Sequence, residues 1–120
     1  MLKSPAELAQ EARAQIPEIS VEQVRKDLEG RAKPYTLIDV REPEETAAGA
    51  IPGAIKIPRG KIELEIAKAV ADEKSAIVCY CGGGTRSLLA GMQLKAMGYH
   101  NVQSMAGGMR SWKMSGGPVE

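Results

Sequence analysis

Two stretches of this chain are apolar with almost no alternation: Thr36-Leu37-Ile38-Asp39-Val40 and Ala76-Ile77-Val78-Cys79-Tyr80. A strand with one wet face alternates apolar and polar residues, whereas a run of this kind suits a strand covered on both faces, as in a parallel sheet between layers of helix. Residues 2 to 16 place Leu8, Ala12 and Ile16 four apart among Glu, Gln and Arg, the stripe of an amphipathic helix that ends before Pro17. Ser20-Val21-Glu22-Gln23 has the form of a capping box for a second helix over about 21 to 29, stopped by Gly30. Pro43-Glu44-Glu45 reads as a short helix start, with acids near its positive end. Ile51 to Ala54 is a turn, and Ala54 to Ile57 a short strand ended by Pro58. Lys61 to Ala71 is assigned to a helix on its length and its Glu, Lys and Ala content, although Ile62, Leu64 and Ile66 alternate.

The second apolar run leads straight into Cys81-Gly82-Gly83-Gly84-Thr85-Arg86-Ser87. A helix lined by Leu88, Leu89, Met92, Leu94, Ala96 and Met97 follows and stops at Gly98. Asn101 to Met105 is the last strand, Gly107-Gly108 a break, and Met109 to Met114 a short helix. Strands and helices that alternate through short links predict an α/β sandwich on a mainly parallel sheet. At 120 residues the chain holds one domain, read here as 18–120 preceded by an N-terminal helical arm, 1–17.

Composition removes several functions. Sixteen Lys and Arg against fifteen Asp and Glu leave no basic surplus for a polyanion, and 3% aromatic residues offer few stacking platforms, so nucleic acid is excluded as a partner. The apolar runs fall far short of the roughly 18 residues that span a bilayer, so no membrane partner is expected. Pro5 and Glu7 stand where a signal peptide carries its apolar stretch, which predicts a cytoplasmic, reducing setting. Cys79 and Cys81, one residue apart in an extended chain, cannot form an unstrained disulfide. One histidine in the whole chain excludes a four-ligand Cys/His zinc site. The cysteines therefore act as thiols.

In an open parallel sheet the working edge is the carboxyl edge of the strands, where Cys81 stands between a strand end and a helix start. Three successive glycines allow positive φ and let several N–H groups converge into an anion nest, and the helix after them adds its positive end. Gly82, Gly83, Gly84, Thr85, Arg86 and Ser87 are thus the predicted anion-binding loop, with Arg86 its only fixed charge. Donors around a sulfur favour its thiolate, which makes Cys81 the predicted nucleophile. No histidine base is required, and His100 is expected to be a solvated turn residue.

These residues resemble the single-domain rhodaneses, whose active-site loop has the form Cys-x-x-Gly-x-Arg-Ser. Leu37-Ile38-Asp39-Val40-Arg41-Glu42 is similar to the family's strand motif, and Gly49-Ala50-Ile51-Pro52-Gly53-Ala54 to its turn. Leu94-Lys95-Ala96-Met97-Gly98-Tyr99, Val102, Gly107-Gly108 and Trp112 are similar to its C-terminal part, so roughly 18 to 120 is covered. The resemblance implies a three-layer α/β/α sandwich with a five-stranded sheet of order 1-5-4-2-3. It also implies transfer of sulfane sulfur through a Cys81 persulfide, from a small anionic donor such as thiosulfate to a thiol, cyanide or protein acceptor. No metal or organic cofactor is implied. The chain departs from the family in having Ala50 for the usual His, Thr46 for an aromatic, and uncharged Gly82 and Gly83 where many thiosulfate-using relatives carry Arg or Lys.

Other readings attach to single residues. Cys79 is expected to pack in the core, and the methionines of the last 29 residues, Met92, Met97, Met105, Met109 and Met114, to fill it. Asp39 and Arg41 are either a structural ion pair or part of the pocket rim, and Arg59 is a further rim candidate. A persulfide carrier docking one protein partner is an alternative function. A cysteine phosphatase or arsenate reductase is another, although those enzymes place five residues between Cys and Arg and this loop has four.

Overall fold

The apolar run at 76–80 becomes the central strand of a sheet in the computed structural model, which describes residues 1–30 and 32–120. The strands are β1 (Glu18–Ile19), β2 (Thr36–Asp39), β3 (Ile55–Lys56), β4 (Ala76–Tyr80) and β5 (Asn101–Met105). They lie in the order β1-β5-β4-β2-β3 with every pairing parallel, the order that the resemblance implies. The helices are α1 (Pro5–Arg13), α2 (Val21–Glu29), α3 (Pro43–Ala47), α4 (Ile62–Ala69), α5 (Thr85–Met97) and α6 (Gly108–Met114), with a single 3-10 turn at Arg59–Lys61.

The unbroken apolar character of β2 and β4 follows from their position, because both faces of each are covered. Ile38, Val40, Ile77 and Cys79 meet Ile62 and Ile66 of α4 and Ala90 and Leu94 of α5. Leu37, Val78 and Tyr80 meet Val21 and Val24 of α2 and Met109 and Trp112 of α6. These two cores make the three-layer sandwich, and each fully buried aliphatic side chain in them contributes roughly 1.5–3 kcal/mol.

Helix α1 forms an extra layer outside α5. Its buried residues are Ala9 and Ala12, joined by Ile16 against Leu88, whereas Leu8, expected on that stripe, is 41% exposed. Small residues suit this seam: a Cβ on Gly91 would stand 3.0 Å from Ile16 Cγ2. The expected lining of α5 is likewise corrected. Leu88, Ala90, Gly91 and Leu94 are buried, while Ala96 and Met97 face water. Of the five late methionines only Met105 and Met109 are buried, and Met97 and Met114 are exposed.

The capping box expected at Ser20 is only half formed. Gln23 N–H donates to Ser20 Oγ at 3.1 Å, but the Gln23 side chain turns to Asp27. A complete reciprocal pair is at α1, where Glu7 N–H donates to Ser4 Oγ and Ser4 N–H to Glu7 Oε1, both at 3.1 Å. Among the described residues no helix is long and apolar enough to cross a membrane.

Candidate active site

Chain geometry alone brings Cys81 to the carboxyl edge, as the first residue beyond central strand β4. The chain then has three residues, Gly82 to Gly84, in which to turn into α5. Gly84 makes that turn at φ +107°, so it is the only one of the three loop glycines that uses the left-handed region. Of the positive φ that three glycines allow, only Gly84 makes use; Gly82 and Gly83 have no positive φ, and a Cβ on Gly83 would meet only open space.

The turn wraps the sulfur. Gly84 N–H donates to Cys81 Sγ at 3.1 Å and Ser87 N–H donates to it at 3.3 Å, while Ser87 Oγ lies 3.5 Å away. The N–H groups of Gly82, Gly83, Thr85 and Arg86 have no protein acceptor among the described residues, so the loop keeps free donors beside a sulfur already held by two. Gly83 and Thr85 are exposed and form the open side.

The loop is held from below by α6. Met109 N–H donates to Cys81 O at 2.8 Å and Arg110 N–H to Gly82 O at 3.0 Å, so the free N-terminal donors of one helix fix the carbonyls of the loop that begins another. The approach is too close for a side chain at Gly108, where a Cβ would lie 2.4 Å from Cys81 O. The sequence pattern showed this segment only as a break.

Arg86 does not stand free in the loop as the sequence reading had it. Its Nη1 and Nη2 donate to Glu45 Oε1 and Oε2 at 2.6 and 3.0 Å, and both side chains are 36% exposed. Glu45 also accepts from Glu42 N–H, which fixes the carboxylate on the first turn of α3. The Arg86 guanidinium holds the Glu45 carboxyl down at about 2, and Glu45 in turn raises Arg86 above its ordinary value. Glu45 had been read only as a helix-dipole residue; its pairing across the fold leaves no trace in a single sequence.

Asp39 and Arg41 form a buried ion pair. Arg41 Nε and Nη2 reach the Asp39 carboxylate at 3.1 and 2.9 Å, Nη2 also donates to Gly49 O at 2.6 Å, and the guanidinium lies over the Tyr80 ring. The phenol oxygen of Tyr80 accepts from Ile51 N–H. This network fastens the 39–51 segment, and with it α3, to β4. Arg59 is exposed and lines a groove with Leu8, Leu89 and Met92 between α1 and α5. A recess of about 520 Å³ between Leu28, Lys33, Tyr35 and Ile55 opens at the amino edge of the sheet, away from the cysteine, so size does not locate this site.

Cys79 lies inside β4 with no exposed surface, and burial pushes its thiol up to about 12. Both cysteines are free. Below the loop, Ser104 of β5 is fully buried with its Oγ 2.7 Å from Ser87 Oγ, a contact that the sequence gave no reason to expect. Near α3, Thr46 turns its hydroxyl onto Pro43 O at 3.0 Å, and Ala50 pairs its backbone N–H and C=O with Glu120, both at 2.9 Å.

Comparison with known proteins covers the whole of this architecture. The family model for the rhodanese-like domain matches residues 20–115. The human thiosulfate:glutathione sulfurtransferase is 35% identical over 109 residues, which covers 80% of this chain and 92% of that protein. YrkF of Bacillus subtilis, named as a candidate sulfur carrier protein, is 32% identical over 111 residues, 92% of this chain but 58% of YrkF. A Rhodopseudomonas palustris protein of unknown function, described as a possible tyrosine phosphatase, superposes with a TM-score of 0.92 at 30% identity, over all of this chain and 96% of that one.

Proposed function

Since the chain belongs to the rhodanese-like domain family, we propose that it is a sulfurtransferase working through a persulfide on Cys81. The observation that carries this reading is a sulfur that accepts two backbone N–H bonds inside a loop with further free donors. The Cys81 thiolate attacks the outer sulfur of a donor such as thiosulfate. An S–S bond forms to Cys81, the donor's own S–S bond breaks, and sulfite leaves with the electron pair. An acceptor thiolate or cyanide then attacks the outer sulfur of the persulfide, and the Cys81 thiolate departs with the electrons of the bond it loses. Thr85 and the loop N–H groups hold the anions, and Arg86 meets them once its pairing with Glu45 is shared or released. The acceptor is a small thiol, cyanide or a protein thiol. We also infer a reducing, cytoplasmic setting, which would keep the Cys81 thiolate available between turnovers.

A phosphatase reading is raised by the name of the Rhodopseudomonas palustris neighbour. Four residues between Cys81 and Arg86 make a smaller ring than the five of cysteine phosphatases and favour sulfur. Intact mass decides the matter. Incubation with thiosulfate adds one sulfur atom to the wild-type chain and not to Cys81→Ser, and cyanide removes it. No adduct with thiosulfate or mercaptopyruvate, together with turnover of an aryl phosphate, overturns the sulfurtransferase reading.

A further inference from the structure

The cradle extends one residue deeper than its own loop. Ser104 is fully buried in β5, and the strand holds it from two sides: its register partners are Cys79 on β4 and Glu18 on β1, and its N–H donates to Pro17 O at 3.0 Å. Its hydroxyl has one partner among the described residues, Ser87 Oγ at 2.7 Å. Ser87 Oγ lies 3.3 Å from Gly84 O, to which it donates, and 3.5 Å from Cys81 Sγ.

We propose that Ser104 is a positioning residue for the reactive sulfur: it donates to Ser87 Oγ and thereby holds the Ser87 hydroxyl as a donor facing the cradle. Counting protons leads to this assignment. Among the described residues the Ser104 hydrogen has no acceptor except Ser87 Oγ, and the Ser87 hydrogen has Gly84 O and Sγ to choose from. While Cys81 is a thiol, its S–H donates to Ser87 Oγ and Ser87 donates to Gly84 O. When the thiol proton has gone to a base in solution, the Ser87 hydrogen turns from Gly84 O to Sγ. The sulfur then has three donors, Gly84 N–H, Ser87 N–H and Ser87 O–H. A hydroxyl that is itself accepting a hydrogen bond is a better donor, so Ser104 strengthens that third contact. Without Ser104, Ser87 Oγ keeps an unfilled lone pair in a dry site, which draws the Cys81 S–H and favours the thiol.

The inference rests on Cys81 as the transferring sulfur, and its test can be read without any sulfur donor. Iodoacetamide labelling of Cys81 is followed against pH in the wild type and in Ser104→Ala, Ser104→Thr and Ser104→Val. Cys79 and Arg86, which feel the Cys81 charge, and Glu45 and Glu42, which act on Arg86, are the same in all four proteins. In Ser104→Ala, labelling at mildly acidic pH slows roughly three- to tenfold and the profile moves up by roughly half to one pH unit. Ser104→Thr keeps the wild-type profile, and Ser104→Val, of the same shape without the hydroxyl, behaves as Ser104→Ala. In a Ser87→Ala background, Ser104→Ala has no further effect. A wild-type profile in Ser104→Ala overturns the proposal, as do equal profiles for Thr and Val, which decide it even if Ser104→Ala does not fold. If the shifts occur but thiosulfate leaves no sulfur on Cys81, it is the transfer reading that fails.

Discussion

Glu45 and Arg86 meet beside the cysteine loop as a two-point ion pair, at 2.6 and 3.0 Å, although 41 residues separate them in the chain. A lone cation at the positive end of a helix is unfavourable, and the carboxylate of α3 answers it. The pair therefore does two things: it completes the wall of the cradle, and it neutralises the charge that an anionic donor would seek.

This pair predicts opposite kinetic effects for its two members. Arg86→Ala raises the KM for thiosulfate and lowers turnover, at a cost on the order of 2–4 kcal/mol, and leaves the Glu45 charge facing the loop. Glu45→Gln frees Arg86 and lowers that KM. Steady-state kinetics of the two variants settles it; a rise in KM for both would make the pair purely structural.

Acid titration predicts the stability effect of the same pair. The folded protein holds Glu45 at about 2, below its ordinary value of 4.5, so the folded state binds its proton less readily than the unfolded chain. The contribution to stability is therefore complete above about 4.5 and is lost as pH falls from there through about 2. With both side chains 36% exposed, solvent screening keeps it to about 1 kcal/mol or less. Thermal midpoints of wild type and Glu45→Gln differ by a constant amount from pH 5 to 8 and converge toward pH 2.

The two cysteines are predicted to behave as different chemical species. Cys79, pushed up to about 12 by burial, stays unlabelled by iodoacetamide at mildly acidic pH while Cys81 reacts. Cys81→Ser abolishes transfer and Cys79→Ala keeps most of it. Peptide mapping and a transfer assay check both. Equal labelling, or equal inactivity, would require a relay through both thiols.

Two glycines are predicted to respond in opposite ways. An Ala at Gly108 would place its Cβ 2.4 Å from Cys81 O at φ +56°, so Gly108→Ala destabilises by about 1–3 kcal/mol and displaces the loop. Gly83 has ordinary angles and open space, so Gly83→Lys changes stability by less than about 0.5 kcal/mol and lowers the KM for thiosulfate by adding a cation at the mouth. Denaturant unfolding and steady-state kinetics on both variants test this contrast.

The parts of this fold that could be read from sequence are those whose signal is local. β2 and β4 announce themselves because burial on both faces requires continuous apolar residues, and the glycine-rich turn does so because Gly84 must adopt positive φ. β1 has two residues, too few for any periodicity, and exists because β5 receives it, whereas β3, equally short, was read from the turn before it and from Pro58 after it. Leu8 and Met97 have helical spacing yet face water, and the seam of α1 on α5 is lined instead by Ala9, Ala12 and Gly91, whose small size allows close approach. Cys81 and its loop were legible because they are contiguous. Glu45, Ser104 and Gly108 were not, since each acts through a partner far away in the chain.

The sheet order also dictates when this protein can finish folding. Glu18 and Ile19 pair with Ser104 and Met105, so the edge strand made first waits for the strand made last. During synthesis the growing chain carries β2, β3 and β4 with one side of β4 still unpaired, and β1 has no neighbour to receive it. Contacts this distant in sequence are slow to form, and open strand edges invite association between chains. A ribosome that stalls before residue 101 therefore leaves a half-sheet that already contains Cys81 and its loop but lacks the strand that completes their floor.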